Sequence, residues 1–170
     1  MNADELRTLQ KPLKDRYRDD PAAARETLSA VGEIIPGNVT CRVESNNATV
    51  EAGLHPATGG TGEYACSGDM LLEALVSCAG VTLAAVATAM NVPLRGGTIR
   101  AEGDLDFRGT LGVDREAPVG ITDIRLEFSL DGDADEKQLE KLVELTERYC
   151  VVFQTLKTPP RISVSLNPQS

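Results

Sequence analysis

The sequence predicts an α+β domain organised around one long helix. Residues 69–90 carry no charge after Glu73 and are apolar on every side of a helical wheel, which predicts a helix that is buried all round. The segments on both sides of it alternate apolar with polar residues, and this period of two is typical of half-buried strands. The 170 residues are the length of one ordinary domain and contain no internal repeat.

The long helix has clear signals at both ends. Gly68 and Asp69 mark its start, where an acidic side chain is favoured by the helix dipole, and Asn91 and Pro93 mark its end. Its length is close to the roughly 20 residues of a membrane span, but a glutamate lies inside it and neither a basic cluster nor an aromatic belt flanks it. For the helix alone, the better interpretation is a core helix in which Cys78 is one more small buried side chain.

Two helices are predicted ahead of the strands. An asparagine cap and leucines at helical spacing indicate the first over residues 2–19, and Pro12 is expected to bend or divide it. An Asp-Pro pair opens the second, which is predicted to end near Gly32. The chain is therefore divided into an N-terminal helical extension over residues 1–35 and a main domain over residues 36–170.

Four strands are predicted around the long helix. Alternation over residues 39–44 and 50–54 indicates a hairpin with its turn at residues 45–47. Beyond the helix, residues 99–107 and 124–130 alternate in the same way. These two segments predict an antiparallel pair with one face in water.

An amphipathic helix and a last strand complete the predicted domain. The helix carries Leu139 and Leu142 on its apolar face. Continuing that spacing places Cys150 on the same face, so its thiol is expected to point at the core. Apolar residues alternate again over residues 161–166, which predicts the final strand.

Composition and charge exclude several functional classes. The net charge of −9 disfavours nucleic acid as a partner, because phosphate binding needs a basic surface. The N-terminus lacks the pattern of a signal peptide, and four unpatterned cysteines suit a reducing compartment, so a cytoplasmic protein is expected. The single histidine, His55, cannot form a metal site with the scattered Cys41 and Cys66. Neither a metal nor a cofactor is expected.

Two motifs in this order of elements resemble a known family. The first is Asp69-Met-Leu-Leu-Glu-Ala-Leu-Val-Ser-Cys78-Ala-Gly, an acidic and apolar run that ends in a small residue and a cysteine. The second is Glu147-Arg-Tyr-Cys150-Val-Val-Phe-Gln-Thr-Leu, a second cysteine at the start of a helix. In these two motifs and in the order of the predicted helices and strands over residues 38–166, the chain resembles the OsmC/Ohr family of thiol peroxidases.

The resemblance implies both a fold and a reaction. The OsmC-like fold has antiparallel sheets wrapped around a long buried central helix in an intertwined homodimer, which would explain how a small chain covers so apolar a helix. The implied substrate is an organic hydroperoxide or H₂O₂. Cys78 attacks its O–O bond and becomes a sulfenic acid, Cys150 condenses with that acid as the resolving thiol, and an external thiol reduces the disulfide.

The resemblance also implies groups that support the reactive thiol. Family members lower the pKa of this thiol with an arginine that an acid holds in place. Asp69 has the position of that acid, nine residues before Cys78, and is one methylene shorter than the family's glutamate. Arg42 lies in the first strand, as the family's arginine does, but its alternation puts it on the polar face. A solvated strand arginine is an equally good interpretation, and Ser67 and Val151 replace prolines of the family.

These departures leave a second function open. The alternative is a non-enzymatic dimeric protein that binds a small apolar ligand or senses redox state, with Cys78 and Cys150 as core or redox-sensing thiols. Two thiols close together in a site open to solvent favour the peroxidase. A sealed site in which Cys78 has no arginine within reach favours the binding protein.

Overall fold

A computed structural model describes residues 1–44 and 48–167, so the turn predicted at residues 45–47 lies outside the described residues. The helices and strands in chain order are α1 (Ala3–Asp19), β1 (Val31–Ile34), β2 (Thr40–Glu44), β3 (Thr49–Gly53), β4 (Ala65–Cys66), α2 (Ser67–Met90), β5 (Leu94–Asp104), α3 (Phe107–Thr110), β6 (Asp123–Gly132), α4 (Glu136–Tyr149) and α5 (Val151–Lys157). Short 3₁₀ turns lie at Pro21–Ala24 and Pro56–Thr58. The predicted α+β class is confirmed.

The strands form two separate sheets. In the first, the order is β1-β2-β3-β4, with antiparallel pairs up to β3 and a parallel pair between β3 and β4. The second is the antiparallel pair of β5 and β6. Ile99 lies opposite Phe128 and Ala101 opposite Leu126, and these side chains pack against the core beside α2. The predicted hairpin and the predicted strand pair are both confirmed.

The long helix α2 is covered on one side only by its own chain. Its buried residues form a single stripe at four-residue spacing, Leu75, Ala79, Leu83 and Ala87. Val81, on another side of the helix, is 73% exposed. The prediction that the helix is buried all round is therefore wrong for the single chain, because β5, α4, α5, α1 and β4 contact it without covering the side around Val81. With a mean hydropathy of 2.0, α2 is also long and apolar enough to cross a membrane. A single such helix is weak evidence for a membrane span, because core helices of soluble proteins have the same properties.

The amphipathic helix α4 closes the core as predicted. Asp135 caps it by accepting the Gln138 N–H at 2.8 Å, and the Gln138 side chain accepts the Asp135 N–H at 3.1 Å. Leu142 is fully buried against the apolar stripe of α2. Cys150, one residue beyond the end of α4, is also fully buried. The prediction that the Cys150 side chain points at the core is confirmed.

The N-terminal segment differs from its prediction. The capped helix α1 is present and Pro12 lies inside it without dividing it. The second predicted helix is wrong, because residues 21–24 form only a 3₁₀ turn and β1 pairs antiparallel with β2. Gly32 and the β-branched residues around it favour a strand over a helix when a sheet edge is available. The sheet therefore reaches across the boundary predicted at residue 35.

The predicted last strand is also wrong for the single chain. Residues 161–167 have no regular secondary structure. Ile162, Val164 and Leu166 keep their alternation but are 85%, 93% and 86% exposed. A strand forms only where a neighbour satisfies its N–H and C=O groups, and within the described chain this tail pairs with no sheet edge.

Candidate active site

The structure brings Cys78 and Cys150 together. Cys78 lies midway along α2, and Cys150 lies at the junction between α4 and α5. Both belong to one apolar cluster with Leu75 and Ala79, and each thiol shifts the pKa of the other. All four cysteines of the chain are free thiols. The two residues that the sequence singled out therefore form one pair.

The helix junction at Cys150 explains how the pair is built. Its N–H closes α4 on the Thr146 carbonyl at 2.9 Å, and its sulfur caps α5 by accepting the Phe153 N–H at 3.5 Å. The first N–H groups of a helix have no partner within that helix. Here those of Val151 and Val152 lower the pKa of the Cys78 thiol. The start of α5 thus supplies backbone donors to the thiol on α2.

The environment of Cys78 favours its thiolate. Burial alone would raise the pKa of the Cys78 thiol. The Val152 N–H, the Cys150 thiol, the Val151 N–H and the Thr82 hydroxyl all hydrogen-bond to the sulfur and outweigh burial, so the pKa lies below its ordinary value. As a residue, Cys78 is only partly buried.

The environment of Cys150 favours the neutral thiol. Burial raises its pKa, the Phe153 N–H opposes this, and the hydrogen bond and negative charge of Cys78 raise it further. Its side chain is 0% exposed. The pair is therefore asymmetric: Cys78 is partly buried with a thiol whose pKa is lowered, and Cys150 is buried with a thiol whose pKa is raised.

Thr82 is a site residue that the sequence did not indicate. The threonines inside the other helical turns donate to the carbonyl four residues earlier, each at 2.8 Å: Thr8, Thr88, Thr146 and Thr155. The hydroxyl of Thr82, one helical turn after Cys78, lowers the pKa of the Cys78 thiol. Its four-residue spacing from Cys78 was the available signal, because residues four apart share a helix face.

Neither Arg42 nor Asp69 is among the groups of the described chain that shift the pKa of Cys78 or Cys150. Arg42 lies on β2, with a half-exposed side chain 3.9 Å from Glu33. Asp69 lies in the first turn of α2, nine residues before Cys78, which is about 13 Å along the axis and two and a half turns around it. The two side chains therefore leave opposite sides of the helix. The roles expected for Arg42 and Asp69 stay predictions that require a second copy of the chain.

The remaining candidate residues lie on other elements. Cys41 is on β2 and Cys66 on β4, both partly buried. His55 precedes the 3₁₀ turn at Pro56–Thr58 and accepts the Ala57 N–H on Nδ1 at 3.0 Å. Across residues 1–44 and 48–167 the structure brings together no group of three His, Cys, Asp or Glu side chains that could hold a metal ion.

Comparisons with known proteins place this geometry in a family. A sequence model described as OsmC-like protein matches residues 60–165. The fold is similar to that of an OsmC-like protein from Mycoplasma pneumoniae, with TM-score 0.66, 14% identity and coverage of 79% of this chain and 89% of that one. A comparison with curated proteins found no match.

Two further similar structures are described as organic hydroperoxide resistance proteins. One is from Legionella pneumophila, with TM-score 0.62 and 12% identity over 79% of this chain and 93% of that one. The other is from Elizabethkingia anophelis, with TM-score 0.62 and 16% identity over 79% of this chain and 91% of that one. At these identities the likeness establishes the shared fold.

Proposed function

The chain belongs to the OsmC-like protein family, and from this premise we propose that it is a thiol peroxidase that reduces organic hydroperoxides through Cys78, with Cys150 as the resolving thiol. The observation that carries the proposal is the asymmetry of the pair. Cys78 is partly buried and the pKa of its thiol is lowered, whereas Cys150 is fully buried and the pKa of its thiol is raised. The hydroperoxide resistance role of two similar structures supports the same substrate class.

The proposed reaction has three balanced steps. The Cys78 thiolate attacks the terminal oxygen of the hydroperoxide, an S–O bond forms, the O–O bond breaks, and the alkoxide takes a proton from water to leave as an alcohol. The Cys150 sulfur then attacks the sulfenic acid, which releases water and forms the disulfide. Two equivalents of an external thiol reduce the disulfide by thiol exchange and restore both cysteines.

The donors around Cys78 have a defined part in the first step. The two backbone N–H groups, the Thr82 hydroxyl and the Cys150 thiol stabilise the thiolate before attack. No charged side chain of residues 1–44 and 48–167 is among the groups that lower this pKa, and Arg42 lies beside Glu33 on the first sheet. Backbone donors are fixed by the start of α5 and need no reorganisation during the reaction.

A homodimer is part of the proposal. The exposed flank of α2 around Val81 is apolar, and the C-terminal tail presents Ile162 and Val164 to solvent. A second copy that covers this flank and pairs with the tail would bury both surfaces and give α2 the all-round cover that its composition predicts. In such a dimer we expect an Arg42 held by Asp69 to approach Cys78, as the resemblance to the family implies. Members of this family are soluble, which favours a core role for α2 over a membrane role, in a cytoplasmic protein.

Intact mass spectrometry tests the proposal. One equivalent of cumene hydroperoxide should lower the mass of the reduced protein by about two hydrogens, as disulfide formation requires. Peptide mapping should then find the bond between Cys78 and Cys150, with Cys41 and Cys66 still alkylatable. A gain of one oxygen without a disulfide would remove Cys150 as the resolving thiol.

Replacing Thr82 by valine should make Cys78 less reactive. The change keeps the shape and removes one group that lowers the pKa of Cys78, so that pKa should rise. Below that pKa less thiolate is present, and alkylation at pH 7 should slow about three- to tenfold. The measurement is the iodoacetamide rate of Cys78 against pH.

The chain offers a matched control for this substitution. Thr88 lies on the same helix but donates to the Ala84 carbonyl at 2.8 Å. Thr88→Val should leave the alkylation profile of Cys78 unchanged, and Thr82→Ser should retain most of the wild-type rate. Equal profiles for Thr82→Val and the wild type would show that this hydroxyl does not act on the thiol.

One observation favours the second candidate function, a redox-sensing or ligand-binding dimer. Within the described chain no arginine side chain hydrogen-bonds to Cys78. A sensor needs oxidation of the pair but no turnover, whereas a peroxidase consumes peroxide in proportion to added reductant. Repeated turnover with dithiothreitol therefore distinguishes the two functions.

A further inference from the structure

We propose that Gln154 is a positioning residue for the reaction at Cys78, because its side chain keeps open the break between α4 and α5 that places the start of α5 beside α2. The inference deepens the proposed function and rests on it, since it concerns how the chain supports that thiol. The side-chain amide of Gln154 donates to the Glu147 carbonyl at 2.7 Å. This hydrogen bond joins α5 to the last turn of α4, seven residues earlier.

The break between the two helices affects only a few backbone hydrogen bonds. The Cys150 N–H still bonds to the Thr146 carbonyl at 2.9 Å, and the Gln154 N–H bonds to the Cys150 carbonyl at 3.0 Å, each across four residues as in an α-helix. Between these two bonds, Cys150 itself has φ −71° and ψ 110°, an extended conformation that interrupts the helix. The N–H groups of residues 151–153 are therefore released from the carbonyls of residues 147–149.

All three released N–H groups act at the thiol pair. The Phe153 N–H donates to the Cys150 sulfur at 3.5 Å. The N–H groups of Val151 and Val152 lower the pKa of the Cys78 thiol. A continuous helix would use the same three groups in its own backbone hydrogen bonds. The break therefore makes backbone donors available to the two sulfurs.

The Glu147 carbonyl competes for one of these donors. In a continuous helix this carbonyl would accept the Val151 N–H. Valine permits that bond, because unlike proline it has an N–H group and can continue a helix. The Gln154 amide occupies the carbonyl instead. Without that amide, the Val151 N–H can return to the Glu147 carbonyl, which withdraws it from Cys78 and closes the break.

The test is the rate of iodoacetamide alkylation of Cys78 against pH, followed by peptide mapping of the full-length reduced protein. Gln154→Met keeps the side-chain length and removes the donor, so the pKa of Cys78 should rise. Alkylation at pH 7 should slow about two- to fivefold, as expected when one exposed hydrogen bond is lost. Gln154→Asn keeps the amide but is one methylene shorter, so it should slow alkylation by the same factor.

Two further variants separate a positioning role from a general effect on α5. Thr155→Val removes a hydroxyl that donates to the Val151 carbonyl at 2.8 Å within α5, so it does not span the break and should leave the profile unchanged. Val151→Pro is compatible with the structure, because Val151 is the first residue of α5 and follows the extended Cys150. Proline has no N–H for the Glu147 carbonyl, so the break stays open without Gln154. In the Val151→Pro background, Gln154→Met should therefore cause no further change.

Two results would overturn this role for Gln154. The first is an unchanged profile in Gln154→Met, which would show that water serves the Glu147 carbonyl equally well. The second is an equal slowing by Gln154→Met in the wild-type and Val151→Pro backgrounds, which would show that the side chain acts by another route. Alkylation reports on the Cys78 thiol whether or not peroxide is reduced. A wild-type protein that consumes no peroxide but shows the expected alkylation profiles would therefore reject the peroxidase proposal alone.

Discussion

Cys78→Ser should reduce cumene hydroperoxide consumption to the rate of buffer alone, because it removes the partly buried thiol whose pKa is lowered. Cys150→Ser should behave differently. It keeps the nucleophile and loses the resolving thiol, so it should consume one equivalent of peroxide and stop with Cys78 as a sulfenic acid that dimedone traps.

The other two cysteines are controls for this pair of variants. Cys41→Ser and Cys66→Ser remove partly buried thiols of the first sheet and should retain wild-type turnover. Turnover that survives in Cys78→Ser but not in Cys66→Ser would identify Cys66, directly before α2, as the reactive thiol. Such a result would reject the assignment of Cys78.

Val81→Glu should dissociate the proposed homodimer. Val81 is 73% exposed on the apolar flank of α2, so in a monomer the change would be nearly neutral. In a dimer that covers this flank, the carboxylate becomes buried without a partner, which costs several kcal/mol and raises the dimer Kd roughly a hundredfold or more. Light scattering against concentration measures the effect.

Val113→Glu is the matched control, because Val113 is 74% exposed but lies in the loop between α3 and β6. It should leave the oligomeric state unchanged. A wild-type protein that is a folded monomer at micromolar concentration would reject the dimer, and with it any part for Arg42 and Asp69 in the peroxide site.

The apolar pattern was sufficient to predict the elements that form the core. The uninterrupted apolar run indicated α2, and the period of two indicated β5 and β6 because packing enforces it along each strand. The same reasoning predicted that Cys78 and Cys150 share an interior, because each lies on the apolar face of its helix or next to it. Local pattern and tertiary packing agree at these positions.

The parts that could not be predicted depend on distant neighbours. Residues 31–34 form a strand because the edge of β2 is beside them, and the tail at 161–167 lacks an edge to join. The donors to Cys78 were missed because backbone N–H groups leave no mark in a sequence pattern. Their position near Cys78 follows from the break between α4 and α5 at Cys150, which a continuous helical spacing does not reveal.

Stopped-flow mixing of the reduced protein with cumene hydroperoxide tests the central claim most directly. Peroxide should disappear stoichiometrically with the loss of two thiols per chain, and the rate should rise with pH and reach half its maximum below the pKa of an ordinary cysteine. With dithiothreitol present, consumption should continue over many turnovers. Consumption no faster than that of Cys78→Ser, or a half-maximum at or above the ordinary cysteine pKa, would contradict the account.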